Sequence, residues 1–139
     1  MIEKHFQSIF TKWVRENPPT GSAVWELKMV KGPSIAFDRV SPHQVEALKE
    51  AKRSGIFHKI SDSPVSWQSK LRFTKPKPFD CLYIFKPEAY VVLLFYKPRK
   101  AKEVLFIDID DWVDEMLKVE RKSLTEKRAK EISKKIETI

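Results

Sequence analysis

Apolar residues at Ile2, Phe6, Ile9, Phe10 and Trp13 recur at the spacing of one helix face, and Asn17-Pro18-Pro19-Thr20-Gly21 ends the pattern. The spacing predicts an amphipathic first helix. From Ser22 to Val30 the period changes to two: Ala23, Trp25, Leu27 and Met29 point one way, Val24, Glu26, Lys28 and Val30 the other. That is a strand with one apolar face. Lys31-Gly32-Pro33 breaks it, and a short irregular stretch leads to Ser41-Pro42-His43-Gln44. Ser at the N-cap, Pro at the first helical position and Gln at the capping-box position predict a helix running to about Ser54. Val45, Leu48 and Ala51 form its buried stripe, and Gly55 stands where a left-handed C-terminal residue is wanted.

Ile56 to Ile60 reads as a second strand, and Ser61 to Phe79, with Pro64, Pro76 and Pro78, reads as a long loop of the kind that is usually functional or mobile. Cys81–Phe85 and Tyr90–Tyr96 are strongly β-prone and are expected to form a hairpin across Lys86-Pro87-Glu88-Ala89, central in the sheet, with Cys81 a small core residue. A further strand over Val104–Ile109 ends at Asp110, an N-cap for a helix through Trp112, Val113, Met116 and Leu117. Ser123-Leu124-Thr125-Glu126 reads as another capping box, opening a basic C-terminal helix with Leu124, Ala129, Ile132 and Ile136 on one side. The order α-β-α-β-β-β-α-α argues for a single α/β domain, a mixed sheet flanked by helices, with 1–121 as its body and 122–139 as its C-terminal helix.

The chain of 139 residues is short enough for one domain, and its longest apolar stretch, Ala89 to Tyr96, is far below the ~20 residues that cross a bilayer. The first residues lack the sections of a secretory signal, and a lone cysteine forms no internal disulfide, so a soluble protein of a reducing, intracellular compartment is expected. The net charge of +8, from 27 Lys and Arg against 19 Asp and Glu, favours a polyanionic partner. With only Gly21, Gly32 and Gly55 there is no glycine-rich phosphate loop, and no Cys/His spacing resembles a zinc site.

The tripeptide Glu26-Leu27-Lys28 puts a carboxylate and an ammonium on one face of the first strand. Such a pair suits metal-dependent phosphodiester cleavage, where the acid holds Mg²⁺ and the lysine offsets phosphate charge. It also suits an ordinary ion pair on a half-exposed strand. A helix with an early acid, a strand carrying ExK and a helix carrying an inward Gln together resemble the PD-(D/E)xK nuclease superfamily, and most of all its Holliday-junction resolvases of the archaeal and RecU type. The resemblance covers about residues 1–60. It implies a restriction-endonuclease-like α/β/α sandwich, Mg²⁺ or Mn²⁺ as cofactor, Glu26 as metal-binding acid, Lys28 as catalytic lysine, Gln44 as supporting residue and Glu3 as the acid of the first helix. Each has a plainer role beside it: Gln44 closes the capping box, and Glu3 favours the positive end of the helix dipole. The superfamily supplies a further aspartate upstream of ExK, and this chain has no Asp before Asp38. Asp80, at the mouth of an apolar strand, is the expected substitute, sharing the metal with Glu26.

Lys70, Arg72, Lys75 and Lys77 fall in the long loop with Trp67 and Phe73, and Lys97, Arg99, Lys100 and Lys102 in the next. Both loops are expected to adjoin the acidic site, giving phosphate contacts without sequence readout and aromatic side chains for splayed bases. The leading expectation is a Mg²⁺-dependent endonuclease of branched DNA, of bacterial or phage origin, dimeric because two symmetric cuts need two sites. The alternative is an inactive nucleic-acid-binding protein on the same fold.

Overall fold

The computed structural model describes residues 1–60, 79–118 and 122–139. Helix α1 spans Glu3–Glu16, and strand β1, Ala23–Val30, follows the proline break. A short strand β2, Ser34–Ala36, and a 3₁₀ turn, Phe37–Arg39, lead to α2, Pro42–Ser54. Strands β3 (Ile56–Lys59), β4 (Cys81–Ile84), β5 (Glu88–Phe95) and β6 (Glu103–Asp108) precede α3, Ile109–Lys118. The chain closes with β7 (Ser123–Thr125), α4 (Glu126–Ile132) and β8 (Lys135–Thr138).

The main sheet is mixed, in the order β1-β5-β6-β8, with β1 parallel to β5 and the other pairs antiparallel. β5 is apolar at every position from Ala89 to Phe95 and fully interior, as a strand covered on both faces must be. On one face α1 places Phe6 and Phe10 against Tyr90, Val92, Leu94 and Phe106. On the other, residues of α2, α3 and α4, among them Leu48, Trp112 and Ala129, pack on Val91, Leu93, Leu105 and Ile107. The result is an α/β sandwich. Among the described residues no helix is long and apolar enough to cross a membrane.

Four expectations are corrected. Cys81–Ile84 and the next strand do not pair as a hairpin: β4 pairs with β3 in a separate two-stranded ribbon, and β5 pairs with β1 and β6. Cys81 is accordingly exposed and is no core residue. The C-terminal segment, 122–139, is not one helix. Thr125, rather than Ser123, caps α4 by accepting from the Arg128 N–H, and the helix stops at Ile132. Ser133 takes extended backbone, and Lys135–Thr138 then pairs with Glu103–Phe106, so Ile136 lies in an edge strand and is 44% exposed. The helix α3 likewise starts two residues early, with Asp108 in place of Asp110 as its cap, its carboxylate accepting from the Asp110 N–H.

Candidate functional site

β1 is an edge strand, and Glu26 and Lys28 lie opposite Val91 and Leu93 of β5, on the face that carries α2. The alternation of the strand therefore buries the stems of two charged side chains at the rim of the core rather than in open water. Lys28 is only 12% exposed in its side chain, and its Nζ lies 3.2 Å from Glu26 Oε1 and 3.9 Å from Glu3 Oε1. One ammonium thus sits between two carboxylates contributed by β1 and by the first turn of α1.

Gln44 completes the arrangement through the capping box that starts α2. Its Oε1 accepts from the Ser41 N–H at 3.0 Å, which fixes the amide and leaves Nε2 to donate to Glu26 Oε1 at 2.9 Å. The capping and site roles are performed by the two ends of one amide. Ser41 also accepts from the Gln44 N–H and contacts His43 Nδ1 at 3.0 Å, so His43 stands at the border of the site.

Arg39 was not singled out by the sequence. Its guanidinium donates to Glu3 at 3.1 Å and to the Met29 carbonyl at 3.4 Å, clamping α1 against the outer edge of β1. The 3₁₀ turn that places it has no local pattern in the sequence, and its partners lie 36 and 10 residues away. Two acids, Glu3 and Glu26, are therefore balanced by two cations, Lys28 and Arg39.

Asp80 was expected beside Glu26 and is found at the start of the β3–β4 ribbon. It precedes β4 on the two-stranded ribbon, where its carbonyl accepts from the Ile60 N–H, while the sheet edge holds Glu26 between Lys28 and Gln44. Lys70, Arg72, Lys75, Lys77, Trp67 and Phe73 lie outside the described residues. The second basic loop begins at the level of Val30, whose carbonyl accepts from the Tyr96 N–H, two residues along β1 from Lys28. Lys97 is already engaged there with Glu126 of α4 at 2.9 Å, and Lys100 joins it by a turn and helps line a cavity of about 300 Å³ with Lys130. Arg99 adopts a left-handed backbone, φ 60°, at the tip of the loop.

A second ionic cluster at the opposite end of β5 was also missed. Lys52, in the last turn of α2, reaches Asp108 at 2.9 Å and Asp110 at 2.6 Å. Burial pulls the Lys52 pKa down, but the hydrogen bonds and charge of Asp110 and Asp108 outweigh it and hold it above the ordinary value. Next to it Tyr90 donates to Glu88 at 2.8 Å. Burial first, then that bond and the nearby acids, push its phenol up to about 12. Asp108-x-Asp110 at a strand end was the available signal for this group.

Among the described residues no group of three or more His, Cys, Asp or Glu side chains is arranged to hold a metal ion. The donor set of Glu3 and Glu26 is nonetheless of the right kind for Mg²⁺, which takes one or two carboxylates and keeps several waters. Comparison of the chain with protein families, with curated proteins and with solved structures finds no match in any of the three.

Proposed function

We propose that the protein is a Mg²⁺-dependent endonuclease acting on intracellular branched DNA, in the manner of a junction resolvase, with its site at the edge of β1. The observation that carries this reading is the convergence of Glu3, Glu26, Lys28 and Gln44, drawn from α1, β1 and α2, on one spot. Glu26 and Glu3 would hold the metal. When bound, the ion supplies an activated water and neutralises phosphate charge. Gln44 holds Glu26 in position through its fixed amide, and Lys28 would offer its ammonium to a phosphate oxygen. Arg39 keeps Glu3 turned toward the site. Lys97, Arg99 and Lys100 lie at the strand end beyond Lys28 and suit contact with the neighbouring DNA backbone. Asp80 has no part in this version of the site. Two symmetric cuts in a four-way junction require two copies, so a homodimer belongs to the proposal.

The second reading is a nucleic-acid-binding protein without catalysis. The pairing of both acids with Lys28 and Arg39 favours it, because the set is electrically closed without a metal. Incubating the protein with four-way-junction, single-stranded and linear duplex DNA, in Mg²⁺ and in EDTA, separates the two. Mg²⁺-dependent cleavage of the junction supports the nuclease. Tight binding with no cleavage in Mg²⁺ or Mn²⁺ supports the second reading.

A further inference from the structure

The sheet face opposite Glu26 and Lys28 is covered by α1 only in part. Where α1 ends, the chain turns through Asn17–Ser22 into β1 and leaves an open groove of about 640 Å³ walled by Trp13, Trp25, Phe85, Phe106, Lys86 and Lys135. That volume lies within the range of small-ligand sites. The rings are held in place from beneath. Phe10 packs edge-on to Trp25 at 5.4 Å and tilted against Trp13 at 5.9 Å, and Trp13 lies 6.2 Å from Phe106. Both tryptophans remain partly exposed, and Phe85 is 70% exposed. A ligand stacking on the tryptophans would meet rings whose orientation is already set by the core.

The two lysines are disposed in an unusual way. Lys135 Nζ rests 4.5 Å from the centre of the Phe106 ring and Lys86 Nζ 5.5 Å from that of Phe85. Among the described residues neither ammonium is paired with a carboxylate. Glu88 and Glu137 also line the groove, but Glu88 is occupied by the Tyr90 hydroxyl. Fixed aromatic faces flanked by uncommitted cations match the two halves of a nucleotide, the base to a ring and the phosphate to an ammonium.

We propose that this groove binds one or two unpaired nucleotides of a nucleic-acid strand, on the side of the sheet away from the acid-lysine site. The proposal takes its class of partner from the nucleic-acid reading above and adds a second contact surface to it. A proline-rich peptide would also suit the tryptophans but has no use for the two lysines.

The test is a titration of the full chain, in EDTA, with a short oligothymidylate and separately with oligoproline, followed by tryptophan fluorescence and by anisotropy of labelled ligand. Oligothymidylate is expected to quench the tryptophans and to bind less tightly as salt rises. Phe85→Ala, at an exposed ring, is expected to weaken binding about fivefold or more. The pair Lys86→Glu and Lys135→Glu is expected to weaken it at least ~10-fold, and Glu137→Lys to tighten it, with unchanged circular dichroism in each case. Parent-like binding by Phe85→Ala and by the double reversal would overturn the groove, as would tighter binding of oligoproline. If groove variants bind normally while the parent cleaves, the groove alone fails. If groove variants lose binding while the parent never cleaves, the nuclease reading alone fails.

Discussion

Replacing Lys28 with Met keeps an unbranched stem of similar length in the rim of the core and removes only the ammonium. That ammonium makes a charge-assisted contact with Glu26 at 3.2 Å and a longer one with Glu3 at 3.9 Å; the two carboxylates are 28% and 34% exposed. A partly buried ion pair at this depth contributes about 1–2 kcal/mol once water screening is allowed for, and the longer pair adds a few tenths at most. In EDTA, Lys28→Met should therefore lose about 1–2 kcal/mol, which lowers the unfolding midpoint by roughly 4–8 °C for a chain of this size. Mg²⁺ should then distinguish a metal site from an ion pair. Without the ammonium Glu26 loses its cation and the pair keeps only Arg39, on Glu3, so the variant should bind Mg²⁺ more tightly than the parent. At tenfold excess over its Kd the ion would restore ~1.4 kcal/mol. Thermal unfolding by circular dichroism, with and without Mg²⁺, reads both effects. Equal Mg²⁺ shifts in variant and parent, or no loss in EDTA, would refute the reasoning.

Gly55 has φ +83°, and a Cβ there would lie 2.6 Å from the Ile84 carbonyl oxygen, so Gly55→Ala should cost about 2 kcal/mol in chemical denaturation. The Arg128 guanidinium donates twice to the buried Glu115 and holds its carboxyl below the usual range, against the opposing effect of burial. The stabilisation this gives is present above the unfolded carboxyl pKa and lost as pH falls through the folded one, so Arg128→Met should lower stability at neutral pH and flatten the acid limb of a stability–pH curve. For Tyr90 the sign is reversed: its folded pKa of about 12 lies above the unfolded value of ~10. Its contribution should hold below pH ~10 and fade as pH rises toward 12, and Tyr90→Phe should remove a step near pH 12 from a phenolate absorbance titration.

The first sixty residues were legible because their signals are local. The period of α1, the alternation of β1 and the Ser41/Gln44 box each constrain neighbours in sequence, and the convergence of Glu3, Glu26, Lys28 and Gln44 follows once those elements pack. The rest depends on partners far along the chain. Nothing near Ile136 says that it will join Leu105 in a sheet, and a helical stripe through Ile132 continues plausibly into it. The β-prone runs on either side of Pro87 look like a hairpin, yet β5 gains more by burial between β1 and β6 while β4 pairs with β3. Arg39 and Lys52 take their roles from carboxylates 36 and 56 residues away, which no window of sequence contains. Glu3, read at first as favouring the helix dipole, sits on α1 across Lys28 from Glu26, a placement that only the packing of α1 on β1 supplies.

The central claim is that Glu26 at the edge of β1 is the acid on which phosphodiester cleavage depends. The most direct measurement is single-turnover cleavage of a four-way junction in Mg²⁺ by the parent, by Glu26→Gln and by Asp80→Ala. Glu26→Gln removes the charge while preserving shape, and its circular dichroism and junction binding should match the parent's. The account predicts cleavage by the parent, a loss of at least ~100-fold in Glu26→Gln, and near-parent rates in Asp80→Ala. Undiminished cleavage by Glu26→Gln, or none by the parent in any divalent metal, would contradict it.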